Sequence, residues 1–325
     1  MRTNIDALMQ GQLGEWLAGQ AQMRSAAKEK ATSRWVWGAV ILLPAIAFLW
    51  FGPGMPPMLK AMLVVGGVLA AGLWGYQPIA DAQKAIKIGI NSAIAQSFGV
   101  AYEHDVEPGA EFEAAQTYGL VPDFDRSEFE DRWYGTLEGH SFNLYEAHLE
   151  ERRGSGKNQR WVTVFRGVII QMSFGRRFRS TTLLQRAGAH RKWLGLGGVS
   201  DHVSFGGHRL DRVDQVHPAF AEVFGLFSDD RIEARVLVHP SYVEHLLQLE
   251  SAFGAKELRA LFAGGQVIIA AEGGNMFESG SMDASTDHAR AEEAAEHFAA
   301  LAGLALAINQ NERGRAGEAG SSLAG

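Results

Sequence analysis

The sequence predicts an α+β protein: a two-helix transmembrane hairpin with a helical stalk, then a cytoplasmic domain with an antiparallel strand meander and packed helices. Three observations predict it. Two uncharged apolar runs stand close together near the N-terminus, an apolar stripe of helical period follows them, and β-branched and aromatic runs separated by turn residues come next.

Residues 1–34 read as an amphipathic helix, because Ile5, Leu8, Met9, Leu13, Trp16 and Leu17 recur at helical spacing. Such a helix lies on a membrane surface or on the rest of the protein. The hairpin occupies 35–78, with spans at about 35–51 and 61–78 and a loop at 52–60. Each run approaches the roughly 20 apolar residues that a helix needs to cross a bilayer. A buried core hairpin would keep a polar face, and neither run has one before Lys60. Trp35, Trp37, Trp50, Trp74 and Tyr76 cluster at the ends, where rings with a polar tip meet the headgroups. Pro44 predicts a kink within the first span. The first run starts too late and is too long for a secretory signal. Gly67, Ala71 and Gly75 repeat every fourth residue and offer a small face for close helix packing, although small residues also occur in apolar helices without that role.

Basic residues flank the hairpin on one side: Arg24, Lys28, Lys30 and Arg34 before it, Lys84 and Lys87 after it. The loop has only Lys60, so both termini are expected in the cytoplasm. Ala82, Ile86, Ile90, Ile94 and Phe98 continue the second helix as a stalk over 79–99.

The cytoplasmic domain is expected at 100–308. A short helix at Phe112–Tyr118 precedes strand-like runs in 131–139, 140–153, 160–174 and 177–186. Ala187–Gly207 reads as a Gly-rich loop. Phe220 and Phe224 are placed on a short helix, and RIEARVLV as a strand after an Asp229–Asp230 turn. His239–Pro240–Ser241 opens a helix through Val243, Leu246 and Leu247. A further helix is expected over Lys256–Phe262, then a strand at QVIIA and a last helix at about Thr286–Ile308. The tail 309–325 is expected to be disordered, since it has little apolar surface.

Charge is segregated along the domain. Ala101–Glu151 is densely acidic, whereas Arg152–Ser200 carries Arg152, Arg153, Arg176, Arg177, Arg179 and further basic residues without one Asp or Glu. Two readings follow. Acidic and basic strands pair across a sheet, or the basic stretch contacts anionic lipid headgroups or an acidic partner. Trp161, Phe165, Phe174, Phe178 and Trp193 interleave with these charges, but their period-two spacing fits the inward face of strands better than a base-stacking platform. The net charge of -7 also argues against nucleic acid.

The chemistry search is sparse. Cysteine is absent, which excludes disulfides and thiolate metal sites. No Walker-type loop, Gly-x-Ser-x-Gly elbow or His-Glu-x-x-His occurs. Gly195–Gly198 does not join a strand to a helix, so a dinucleotide reading is weak. His208, Asp211 and His217, with His202 and Asp214 nearby, are the best metal-like set, but their spacing matches no compact site and solvated side chains meet it easily. No catalytic residue, cofactor or resident metal is therefore expected.

VTVFRGVIIQMSFGRRFRSTTLL, the block FAEVFGLFSDDRIEARVLVHPSYVEHLLQLESAF and the run FAGGQVIIAAE resemble the motifs of an uncharacterised bacterial membrane family, domain-of-unknown-function family 3137. The YGLVPDFDRSEFEDRWYGTLEGHSFNLYEAHLE stretch fits as well. The resemblance implies a two-span inner-membrane anchor with a cytoplasmic α+β domain, and it carries no catalytic residues. The preferred function is a non-enzymatic, membrane-anchored interaction or scaffold module whose partners are the bilayer and a protein or anionic headgroups, with homo-oligomers open. The alternative is a small-molecule- or lipid-binding domain with hydrolytic capacity. A flat charged face favours the first, and a concave apolar pocket the second.

Overall fold

The computed structural model describes residues 5–52, 54–175, 177–187, 200–214, 218–238 and 257–321. Helices α1 (Ile5–Gln10), α2 (Gln12–Gly19), α3 (Ala21–Phe51) and α4 (Pro57–Ser97) come first. The sheet domain begins with β1 (Val100–Asp105), α5 (Ala110–Thr117), β2 (Arg126–Leu137), β3 (His140–Arg153) and β4 (Arg160–Ser173). It continues with β5 (Thr182–Arg186), β6 (His202–Phe205), β7 (His208–Arg212), α6 (Pro218–Val223), β8 (Phe224–Ser228) and α7 (Arg231–Leu237). Strands β9 (Glu257–Ala263) and β10 (Gln266–Glu272) precede the last helix, α8 (Asp287–Ser321). The α+β class read from the sequence is observed.

The chain divides into two compact units. One comprises Asn4–Ala93 with Glu278–Glu293; the sheet unit comprises Ile94–Phe277 with Ala294–Gly325.

In the helical unit, α3 has 31 residues and α4 has 41, lengths of about 46 and 62 Å at 1.5 Å per residue. Their most apolar windows are only 6% buried. Beyond those windows the same helices are covered: Ala27 and Ala31 on α3, and Ala82, Ile86 and Ile90 on α4, are buried. The expected single N-terminal helix is instead three. Turns at Gly11 and Gln20 break it, and α3 then runs without interruption into the first apolar run. A Cβ on Gly89 would meet the Trp16 ring at 2.1 Å, so α2 lies against α4 at that point. Segment Glu278–Glu293 closes the unit. Arg24 makes a two-oxygen contact with Asp287 at 2.7 and 2.8 Å and bonds the Ser281 carbonyl. Lys87 meets Glu278 at 2.7 Å, and Ser279 donates to Asn91.

The sheet has ten antiparallel strands in the order β1-β2-β3-β4-β10-β9-β5-β8-β7-β6. The late hairpin β9–β10 joins its two halves, pairing β4 on one side and β5 on the other. One face is an apolar core that includes Phe112, Tyr145, Leu149, Ile169, Leu183, Phe227 and Leu261. On the other, α8 packs Phe298 against Trp133 (centroids 4.6 Å apart) and Phe142.

Four local expectations are corrected. Arg231–Leu237 is a helix rather than a strand, because Asp230 caps it by accepting from the backbone N–H groups of Ile232 and Glu233. Glu257–Ala263 is a strand rather than a helix: Gly264 and Gly265, at φ of 59° and 77°, form a two-residue turn that returns the chain as β10. Within the stretch read as loop, His202–Phe205 is a strand stabilised by pairing with β7, and Phe224 opens β8 rather than sitting on α6. The helical backbone of α8 runs on as far as Ser321. The helix expected after His239 and the Gly195–Gly198 stretch lie outside the described residues.

Candidate functional site

Aromatic and basic side chains gather at the ends of the two apolar runs. Trp35, Trp37, Trp50, Trp74 and Tyr76 are all exposed. Arg34 bonds the Trp74 carbonyl and Gln77, and its guanidinium lies over the Trp74 ring at 5.3 Å. At the opposite end Lys60 donates to the carbonyls of Trp50 and Gly52, which satisfies acceptors left open where α3 stops. Gly67, Ala71 and Gly75 lie where α3 approaches. A Cβ on Gly67 would sit 2.9 Å from Leu42, one on Gly38 would touch Ala71 at 3.2 Å, and one on Gly75 would overlap the Trp35 ring.

The basic residues separate. Arg152 and Arg153 end β3, Arg177 and Arg179 are exposed on the link to β5, and Arg176 lies outside the described residues. Within the acidic stretch itself, Arg126 of β2 contacts Glu150 of β3, and Arg132 of β2 lies 3.8 Å from Glu103 of β1. The Arg126 guanidinium also covers the half-exposed Trp161 at 4.7 Å. Beside it, Arg126, Ser127, Glu128, His148 and Glu150 line an open groove of about 410 Å³. His148 Nε2 lies 2.9 Å from the Thr163 hydroxyl, and its Nδ1 is 3.8 Å from Glu128. The groove is charged, and none of the residues lining it is apolar.

Among the described residues, the metal-like set read from the sequence does not form a cluster of ligand atoms. His202 and Asp211 are cross-strand partners, but Asp211 bonds Arg209 and Arg231, and the Arg209 hydrogen bond, with the charges of both, holds its carboxyl below the ordinary range. His208 stacks on Tyr118, and His217 lies outside the described residues. Sequence reasoning missed a different set, His104, Glu130 and Asp131, whose donor atoms lie within 4.8 Å of one another. A bulge in β2 puts Asp131 at φ 58°, and its buried carboxylate accepts from the Tyr102 hydroxyl at 2.5 Å, with His104 Nδ1 3.4 Å away. These are ligand types for zinc or manganese, but Asp131 Oδ1 is engaged by Tyr102 and His104. No sequence spacing announces the set, because it depends on β1 pairing with a bulged β2.

A third polar group sits over β3. Glu111 of α5 accepts from the Gly109 N–H and the Asn143 amide, and Asn143 in turn accepts from Arg132. Burial pushes the Tyr145 phenol far above its ordinary value, and the neighbouring Glu111 carboxylate adds to the shift.

The geometry defines an α+β sheet domain on a chain with two helices long and apolar enough to cross a membrane. Residues 163–310 match the family model described as protein of unknown function (DUF3137), the family whose strand motifs the sequence resembles. No curated protein matches the chain. Among solved structures, the chain is similar to the crystal structure of the mycobacterial trehalose monomycolate transport factor A, TtfA, at 11% identity. That similarity covers 67% of this chain and 93% of the other, with a TM-score of 0.33, a level that does not establish a common fold.

Proposed function

We propose that this protein is a membrane-anchored, non-enzymatic interaction module, with both termini in the cytoplasm and the sheet domain presented at the inner membrane. One observation carries the reading: the apolar windows of α3 and α4 are 6% buried, while elsewhere on the same helices Ala27, Ala31, Ala82, Ile86 and Ile90 are buried. A soluble protein leaving that much contiguous apolar surface in water would aggregate. The indole rings, Arg34 and Lys60 at the two ends supply the amphipathic contacts an interface requires. The charge-lined groove suits docking of a polar partner better than enclosure of an apolar substrate.

The cysteine-free sequence makes topology directly testable. In intact cells, Pro56→Cys reacts with a membrane-impermeant maleimide, and Ser321→Cys reacts only after permeabilisation. Labelling of both positions in intact cells, or of Ser321→Cys alone, overturns the orientation.

A further inference from the structure

The hairpin β3–β4 outruns its neighbours. β2 pairs with β3 only as far as Arg126 opposite Glu150, and β10 pairs with β4 only over Gly167–Ser173. Among the described residues, the ladder of 151–153 with 160–162 therefore has no strand on either side. Three paired positions at about 3.4 Å each make a finger of about 10 Å, and the turn extends it further. Gly154 and Gly156 adopt φ of 99° and 59° to close that turn, ahead of a short 3-10 segment at Gly156–Asn158.

The tip is strongly cationic. Between Arg152 and Arg160 the sequence holds Arg152, Arg153, Lys157 and Arg160 with no acidic residue. Arg153 and Arg160 are direct cross-strand partners, a like-charge pairing that disfavours the hairpin unless negative charge is nearby. Glu151 reaches Arg153 at 2.8 Å, and both side chains are about half exposed, so solvent screens that contact. Trp161 stands beside the arginines, 43% exposed.

We propose that this finger binds the anionic phospholipid headgroups of the leaflet next to the anchor, an assignment that rests on the membrane-anchored reading. The alternative occupant, an acidic protein, fits less well. Protein hot spots are enriched in Trp, Tyr and Arg at the centre of a well-packed patch, whereas here Trp161 lies at the base of the finger under Arg126 and the turn itself offers only small polar residues such as Gly154, Ser155, Gly156 and Asn158. Clustered arginines with an exposed indole are the side chains that settle at headgroup level. A tethered domain also meets its own leaflet at a high effective concentration, so weak contacts suffice.

The test uses the full-length chain with one introduced cysteine, Ser155→Cys, carrying a nitroxide. It is reconstituted in nanodiscs of phosphatidylcholine alone or with about 30% phosphatidylglycerol. In anionic discs, collision of the label with a water-soluble nickel complex should fall by about threefold and its mobility should drop, and about 0.5 M salt should reverse both. The variant combining Arg152→Gln, Arg153→Gln and Arg160→Gln should give the neutral-disc spectrum in both lipids. Identical spectra of the unsubstituted finger in the two lipids overturn the proposal, as does a lipid response that survives the triple substitution. Immobilisation in native membranes but not in purified anionic discs assigns the finger to a protein instead. A chain that fails to enter discs on size exclusion overturns the anchored reading itself, and the finger assignment falls with it.

Discussion

The two halves of helix α4 use the same apolar residues for opposite ends. Toward its N-terminus, Leu63, Val65, Val68, Leu69 and Leu73 are exposed, while Gly67, Ala71 and Gly75 lie where α3 approaches. Toward its C-terminus, Ile86 and Ile90 are fully buried. Apolar content alone does not separate the halves; polar residues do. Asp81, Lys84, Lys87 and Asn91 interrupt the second half, and Lys87 and Asn91 find partners in the returning segment. The first half has no charge after Lys60 and finds no protein cover. Lipid suits the one and side chains suit the other.

The largest expected effect lies where charge is buried. Arg24 and Asp287 have side chains only 6% and 4% exposed, and removing one leaves the other buried without its two-oxygen partner. Arg24→Ala should therefore destabilise the folded chain by about 3–5 kcal/mol. Replacing both, as Arg24→Met with Asp287→Leu, should recover most of that loss. Thermal unfolding in mild detergent measures both variants. A single variant within about 1 kcal/mol of the parent would show that the clasp adds nothing to stability.

The second effect sharpens the contrast within α4. Ile90→Ala removes a fully buried side chain and should cost about 2–4 kcal/mol. Leu73→Ala, on the exposed half, should cost under about 0.5 kcal/mol in a bilayer. Chemical denaturation in nanodiscs compares them. Equal losses at the two positions would mean that Leu73 is covered by protein, and the lipid-facing reading of that half would fail.

How much of this was legible in the sequence depends on the range of the forces involved. The two apolar runs, the stripe Ala82–Ile86–Ile90 and strands β2, β3, β4 and β10 could be read from local periodicity, because burial on one face imposes it. The strand β9 was misread as a helix: its residues carry helical spacing, and the deciding element is the Gly264–Gly265 turn with its long pairing to β10. The helix α7 was misread for the reverse reason, since two Asp residues that suggest a turn also cap a helix, and Asp230 does. Of the residues suggested as sites, Gly67, Ala71 and Gly75 lie at a helix contact, while His208 and Asp211 face different neighbours. The cluster of His104, Glu130 and Asp131 left no local trace, because only a bulge and a cross-strand register create it. The finger was half legible. Its charges were plain in the sequence, but its projection beyond β2 and β10 is a property of strand ends that no local pattern records.

The smallest effect tests the clasp from its surface. Asp283 caps the turn Ala284–Thr286, and the Ser285 hydroxyl and N–H both donate to its carboxylate, with Lys28 and Arg24 adding positive potential; together they lower its pKa from the ordinary value. A carboxylate with a depressed folded-state pKa contributes stability above its ordinary unfolded value of about 3.9, and that contribution is lost as pH falls through the lower folded value. Asp283→Asn should therefore lower the melting temperature slightly at pH ~6, and the gap to the parent should close as pH drops below ~4. Asp283 is exposed to solvent, so the shift should stay well below that of Arg24→Ala. A gap that stays constant across the titration would mean that the cap acts through hydrogen-bond geometry, which Asn retains only in part, and not through its charge. The clasped half of the helical unit would then hold its fold by buried pairs alone.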